Sequence, residues 1–269
     1  MTAAMLTPYV DVTLWPIFDI SEVPACDHFT LGFIVADQNN NPSWGGYYGM
    51  ETKFYKDIVT KLRNKGGAVI CSFGGASGAE IATRCKTAEE AYRKYKKVID
   101  TYNLKSIDFD IEGGAVGDTS SNSIRAQAIL MLQNTYHDLV VSLTLPVMPT
   151  GLNNDCLSIV AETPCDIVNL MCMDYGNEKD MGAAAISAAK AVRKQTGKNI
   201  GITVMIGKND TGEVFTLDDA REVADFCKET EWIKRTSFWS IVRDRGVQGD
   251  LNKSSQIKQE AWEFCKILK

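Results

Sequence analysis

From Ser106 to Gly114 the chain reads Ser-Ile-Asp-Phe-Asp-Ile-Glu-Gly-Gly, so that Asp108, Asp110 and Glu112 alternate strictly with Ile107, Phe109 and Ile111. A period of two places the acids on one face of a strand, about 6.6 Å between successive members. On an antiparallel sheet with one wet side this would be an ordinary acidic solvent face. In a parallel barrel, helices cover the outside, so the apolar residues pack outward and the carboxylates point into a confined lumen. Like charges in such a space cannot all ionise cheaply; a proton is retained and the pKa values are pushed apart, the condition for a general acid at neutral pH. Asp108 is the deepest, Asp110 lies between, and Glu112 stands at the strand's C-terminal end, where barrel enzymes keep their chemistry. Gly113-Gly114 leaves room beside it for a substrate.

The elements that must position these acids follow from the alternation of short β-rich runs with longer amphipathic ones. The spacing predicts strands over 9–14, 29–35, 68–73, 106–112, 139–145, 167–173, 200–206 and 237–242, and helices over 53–64, 78–101, 123–136, 152–161, 181–196, 217–230 and 254–267. In the second helical segment Ile81, Ala82, Cys85, Ala88, Ala91, Tyr92 and Tyr95 recur at helical spacing. The sixth opens after Thr216 with Asp218 and Asp219 in its first turn, where carboxylates complement the helix dipole. Strands alternating with helices mean βαβ units and a parallel sheet, and eight of them imply a closed α/β cylinder, a (β/α)8 TIM barrel. An open doubly wound sheet is the alternative, but no GxGxxG turn supports it. No linker, repeat or low-complexity tract divides the chain, so residues 1–269 are expected to be a single catalytic domain. The segment from Asn39 to Gly49 reads as a long loop after the second strand.

Composition narrows the remaining classes. The 269 residues are 45% hydrophobic and 23% charged, with a formal net charge of −5. Lys and Arg are dispersed, which gives no reason to expect a nucleic-acid partner. No apolar run approaches the ~20 residues of a membrane span, and Met1–Thr7 lacks the basic and apolar regions of an export signal. Eight cysteines contain no CxxC pair and are accompanied by only two histidines, an inventory that argues against zinc. Cys71 and Cys172 fall inside apolar runs, and buried thiols are expected rather than a disulfide framework.

The run Asp108-x-Asp110-x-Glu112 resembles the DxxDxDxE signature of glycoside hydrolase family 18, the chitinases and their relatives, with Lys105 in the place of the first Asp. Ser72-Phe73-Gly74-Gly75 is similar to the family's SxGG motif. Met171-Cys172-Met173-Asp174-Tyr175-Gly176 resembles its sixth-strand MxYD motif, with Met173 where Tyr is common and Tyr175 after the Asp. Phe238-Trp239-Ser240, followed by Arg243-Asp244, resembles the end of the eighth strand with its final Trp. Trp15, Trp44-Gly45-Gly46 and Met205-Ile206-Gly207 are similar to segments of bacterial and archaeal chitinases. Each secondary motif also has a plainer reading: Gly74-Gly75 as a turn, Trp239 as core, Met171 and Met205 as packing residues.

The resemblance implies a retaining, substrate-assisted hydrolase of β-linked N-acetylglucosamine polymers, with chitin or chitooligosaccharides as substrate and no metal or organic cofactor. In it Glu112 is the acid/base, and Asp110, sharing a proton with Asp108, turns toward the acetamido N–H. Asp174 and Tyr175 position the acetamido carbonyl. Trp239 forms the sugar floor, and Trp15, Met171, Met205, Ser72, Gly74, Trp44 and Arg243 are candidates for lining the substrate site. It further implies a monomer secreted to the exterior, with the cytoplasm as the alternative. An endo-β-N-acetylglucosaminidase acting on N-glycans would share Glu112, a chitin-binding lectin would keep the barrel without turnover, and a divalent cation could instead occupy the acids.

Overall fold

A run of eight strands, each continuing the parallel hydrogen bonding of its neighbour, organises the computed structural model, which describes residues 4–269; the first three residues of Met1–Thr7 lie outside the described residues. The strands are β1 (Tyr9–Asp11), β2 (His28–Ala36), β3 (Ala68–Gly74), β4 (Ser106–Asp110), β5 (Val140–Pro146), β6 (Ile167–Cys172), β7 (Asn199–Met205) and β8 (Ile233–Trp239). From β2 to β8 each pairs in parallel with the next. The first segment closes the ring by touching both ends: Met5 and Leu6 pair with Arg235 and Thr236 of β8, and Tyr9–Asp11 pair with Thr30–Gly32 of β2. The backbone N–H of Thr7 donates to Thr236 O (2.9 Å) and that of Thr30 to Pro8 O (2.9 Å), which seals the seam. The α/β barrel expected from the strand count is therefore the fold.

Among the described residues seven α-helices pack outside: α1 (Lys56–Asn64), α2 (Ala88–Tyr102), α3 (Thr119–Thr135), α4 (Asn154–Glu162), α5 (Met181–Thr196), α6 (Leu217–Glu229) and α7 (Glu263–Leu268). The outward side of the acid strand shows why they bind. Phe109 stacks on Phe73 of β3 (centroids 5.2 Å), and Tyr95 of α2 meets both rings edge-on at 5.0 and 4.9 Å. Ile107, Phe109 and Ile111 are fully buried on this side, and burial of such side chains stabilises by about 1.5–3 kcal/mol each.

Several boundaries differ from the sequence expectation, each for a local reason. The helix expected over 78–101 is a 3-10 turn, Ile81–Arg84, followed by α2, because Thr87 leaves the helix and caps α2 through a bond from Glu90 N. The last expected helix survives only as α7. The eighth strand starts at Ile233 rather than Ser237, and β4 ends at Asp110, so Glu112 lies just past it. The loop expected over 39–49 contains a short strand, Pro42–Trp44, that turns back antiparallel on β2. The cysteines need one correction: Cys26 and Cys265 form a disulfide joining the segment before β2 to α7. The other six are buried free thiols, as expected.

Barrel interiors are usually filled by Val, Ile and Leu. Here the middle layer is polar: Ser72, Asp108, Ser142, Thr144, Asn169, Thr203 and Arg235 are all buried. Asn169 Nδ2 donates to Thr144 Oγ1 (2.9 Å) and Thr203 Oγ1 (2.7 Å), which satisfies the layer internally. An apolar layer of the same volume would pack at lower cost, so this layer serves what lies above it.

Candidate active site

Asp108 sits at the base of the site with no solvent exposure. It accepts hydrogen bonds from Tyr9 Oη (2.9 Å), Ser72 Oγ (2.7 Å), Thr144 Oγ1 (2.8 Å) and Ser142 Oγ, and the Arg235 guanidinium stands 3.7 Å away. Both its oxygens are thus taken by donors. One layer up, Asp110 is buried and its Oδ1 has no hydrogen-bond partner. Burial, then Glu112, then Asp108 hold its carboxyl well above the ordinary aspartate range, and it is hydrogen-bonded to Glu112. Glu112 is half-buried, and burial raises its pKa, helped by Asp174, against the opposing hydrogen bond from Asp110. Both carboxyls are thus held above their ordinary range, the condition under which two neighbouring acids retain a proton. Asp108 is surrounded by hydroxyls and the Arg235 guanidinium, and Asp110 stands above it beside Glu112.

Backbone contacts fix this pair of acids. Gly75 N donates to Asp110 O (3.0 Å) and Ile111 N to Thr144 O (3.0 Å). Gly74 has φ +108°, and a Cβ there would stand 2.0 Å from Asp110 O, so the approach of the two strand ends requires glycine.

A cavity of about 260 Å³ opens above, lined on one side by Asp110 and Glu112 and on the others by Met171, Met205, Asp174 and Trp239. Trp239 is half-buried and stacks on Phe33 (centroids 5.8 Å, 20°), with Tyr9 tilted at 6.3 Å. A second cavity of about 500 Å³ shares Ala76, Asp110 and Glu112 with the first and extends over Gly113, Gly114, Thr83 and Arg84. Glu112 thus stands between two adjoining spaces, one floored by aromatic rings. Among the described residues, no group of three His, Cys, Asp or Glu side chains is arranged to hold a metal ion.

The other expected site residues divide. Trp239, Met171, Met205 and Asp174 line the first cavity, and Ser72 and Gly74 act beneath it as described. Four do not reach it. Tyr175 packs on the core side with its hydroxyl buried beside the Cys172 thiol: Asp174 has φ +58°, and this left-handed residue breaks the strand alternation that would have pointed Tyr175 inward. Trp44 is fully buried, donating to Tyr102 Oη (2.7 Å), and is core. Trp15 is 76% exposed and borders a different hollow with Phe18 and Trp262. Arg243 is buried behind the wall, donating to Lys208 O (2.6 Å) and Ser254 O (3.3 Å), and so joins the loops after β7 and β8.

Those loops bring residues that sequence reading missed. Asp210 and Asn252 line the cavity, as do Met173, Tyr9, Phe33, Thr144 and Thr203. Asp210 is placed through Asp174, whose Oδ1 accepts the N–H of Asp210 (2.9 Å) and Thr211 (3.3 Å). A signal existed for the lumen residues, since Thr144, Asn169 and Thr203 are polar side chains set between apolar neighbours in their strands. None existed for Asp210 and Asn252, which come from loops.

A parallel barrel thus carries two adjacent carboxyl groups at its C-terminal mouth beside an aromatic floor, an arrangement suited to general acid chemistry. Comparison with known proteins agrees. The profile of the glycosyl hydrolases family 18 matches residues 9–261, and the chain belongs to that family. It is 34% identical over 286 aligned positions to the probable bifunctional chitinase/lysozyme of Escherichia coli (strain K12), covering 93% of this chain and 32% of that protein. It is 33% identical over 272 positions to endochitinase 11 of Metarhizium anisopliae, covering 88% of this chain and 52% of the relative. The chain thus spans a third to a half of the length of these relatives. The catalytic domain of the hyperthermophilic chitinase from Pyrococcus furiosus superposes with a TM-score of 0.89 at 31% identity, covering 100% of this chain and 94% of that one. Site mutants of active domain 2 of the Pyrococcus furiosus enzyme, complexed with chito-oligosaccharides, superpose at 0.88 and 30% identity.

Proposed function

We propose that the chain hydrolyses β-1,4 bonds between N-acetylglucosamine units of chitin or chitooligosaccharides with retention, using the substrate's own acetamido group. The observation that carries this reading is the placement of buried Asp110, its Oδ1 without a partner, beside half-buried Glu112 at the border of two cavities, one of them lined by Trp239. The donor sugar lies over Trp239 in the first cavity, its apolar face on the ring. The proton shared by the pair passes to Glu112, which leaves Asp110 as the anion, and Glu112 gives it to the glycosidic oxygen, which leaves with the bonding electron pair. The acetamido carbonyl oxygen bonds to the anomeric carbon from the opposite face, forming an oxazolinium ion.

Asp110 turns from Glu112 to the acetamido N–H, where its buried, unpartnered Oδ1 stabilises the developing positive charge. Glu112, now an anion, takes a proton from the water that attacks the anomeric carbon and reopens the ring. Asp174 borders the same cavity and, with Asp210, positions the sugar's polar groups. The family relationship and the chitinase names of its relatives support this substrate class. The disulfide Cys26–Cys265 supports work in an oxidising, extracellular setting.

The test is Glu112→Gln, which keeps shape and removes the proton. Hydrolysis of chitooligosaccharides should fall by at least about 10³-fold while oligosaccharide binding, measured by calorimetry, persists. Turnover close to that of the parent protein would end the assignment.

A further inference from the structure

The second cavity is walled by the loop after β3 and the loop after β4, and both are tied to a buried charge pair that the reaction does not use. Glu80 is 4% exposed and Arg125, on α3, is 0% exposed. Arg125 donates from Nε (3.0 Å) and Nη2 (2.7 Å) to Glu80 Oε2, while Tyr95 of α2 donates to Oε1 (2.6 Å) and Ala82 N to Oε2 (3.0 Å). The remaining arm of the guanidinium, Nη1, donates to Asn122 Oδ1 (2.6 Å), and Asn122 Nδ2 donates to Val116 O (3.0 Å). Val116 ends the short turn that begins directly after Glu112.

On the other side of Glu112, Gly75, from the loop that carries Glu80, holds the carbonyl of Asp110. The chain is therefore gripped two residues before Glu112 and four residues after it, by partners that the one ion pair joins. A buried pair of this kind gains little stability over well-packed apolar residues. Each donor and acceptor in it instead fixes one loop relative to another.

We infer that Glu80, Arg125 and Asn122 are positioning residues that hold the Glu112 turn and set the shape of the second cavity, which receives the leaving-group sugars. This rests on the proposed hydrolytic reading, because the donor sugar occupies the first cavity and the leaving group must lie on the other side of Glu112. A sugar leaving group needs both the cavity and a well-aimed proton. An aryl leaving group needs neither to the same degree, because its oxygen departs as a weakly basic phenolate.

The experiment compares a chitin tetrasaccharide with a nitrophenyl β-glycoside of the disaccharide, using Asn122→Asp. That change keeps an acceptor for Arg125 and puts a carboxylate oxygen where the amide donor met Val116 O, so the tie to the Glu112 turn becomes repulsive while the added negative charge rests on Arg125; Glu80→Gln would leave Arg125 buried without a counter-charge and unfold part of the barrel. The expected result is a fall of about tenfold in kcat/KM for the tetrasaccharide, the scale of one lost hydrogen bond at a positioned group, with less than about twofold change for the aryl glycoside. Equal losses on both substrates, or unchanged values on both, would overturn the positioning role while leaving the hydrolase reading intact. If the parent protein cleaved neither substrate, both readings would fall together.

Discussion

Asp110 and Glu112 differ from ordinary surface carboxylates because burial, which has partly dried the space around them, raises the pKa of both. The pKa of Glu112 is raised first by burial and then by the charge of Asp174, so its proton survives to higher pH than in a free glutamate. Removing that negative charge lowers the pKa and releases the proton earlier. In Asp174→Asn the alkaline limb of the kcat/KM profile should therefore move to lower pH; a limb that stays in place or moves upward would show that Asp174 does not act on Glu112. The Tyr175 hydroxyl lies beside Cys172 and outside the cavity. Tyr175→Phe should accordingly keep kcat and KM within about twofold, as expected of a group that makes no contact in the transition state. A loss of 10²-fold would restore the positioning role that its place in the motif implies.

Elements turn residue types into geometry through a few points of close approach. Gly74 and Gly75 let β3 come against the carbonyl of Asp110, and a side chain at Gly74 would meet that carbonyl at 2.0 Å with a positive φ besides. Gly74→Ala should cost at least about 3 kcal/mol in urea unfolding and lower turnover as well, because the strand end carrying Asp110 must move. A variant as stable and active as the parent would refute the packing argument. The acid strand was legible in sequence because its alternation has only one reading once helices cover the outer face. The Trp44 segment was not, since an aromatic residue beside two glycines has the same appearance in a core turn as in a binding loop. What buried Trp44 is its antiparallel return onto β2 and the hydroxyl of Tyr102, more than fifty positions away.

For the molecule as a whole, closure of the cylinder depends on both chain ends. The first segment zips β8 to β2, and the C-terminal segment is drawn in by Asp244, whose carboxylate accepts from Phe264 N (3.1 Å), Cys265 N (2.9 Å) and Gln259, and by the disulfide to Cys26. Burial lifts the Asp244 pKa to about 6, above its value in the unfolded chain. A raised folded value means that its contribution is complete below the ordinary aspartate range and is lost as pH rises through about 6. Between about pH 4 and 6.5 this group should remove on the order of 2–3 kcal/mol of stability from the parent protein. Asp244→Asn should flatten that part of the profile in thermal unfolding, and an unchanged slope would place the titration elsewhere.

The sequence by itself determined the strand count, the outward packing of Ile107, Phe109 and Ile111, and the succession of acids rising to Glu112, because periodicity and the covered outer face of a parallel barrel leave those residues no other side to take. Only the tertiary structure decided that hydroxyls and Arg235 surround Asp108, that Tyr175 turns away at a left-handed Asp174, that Asp210 and Asn252 reach the cavity, and that Cys26 meets Cys265. These outcomes depend on contacts between segments far apart in the chain, and local pattern carries no information about which of them loop geometry and burial will bring together.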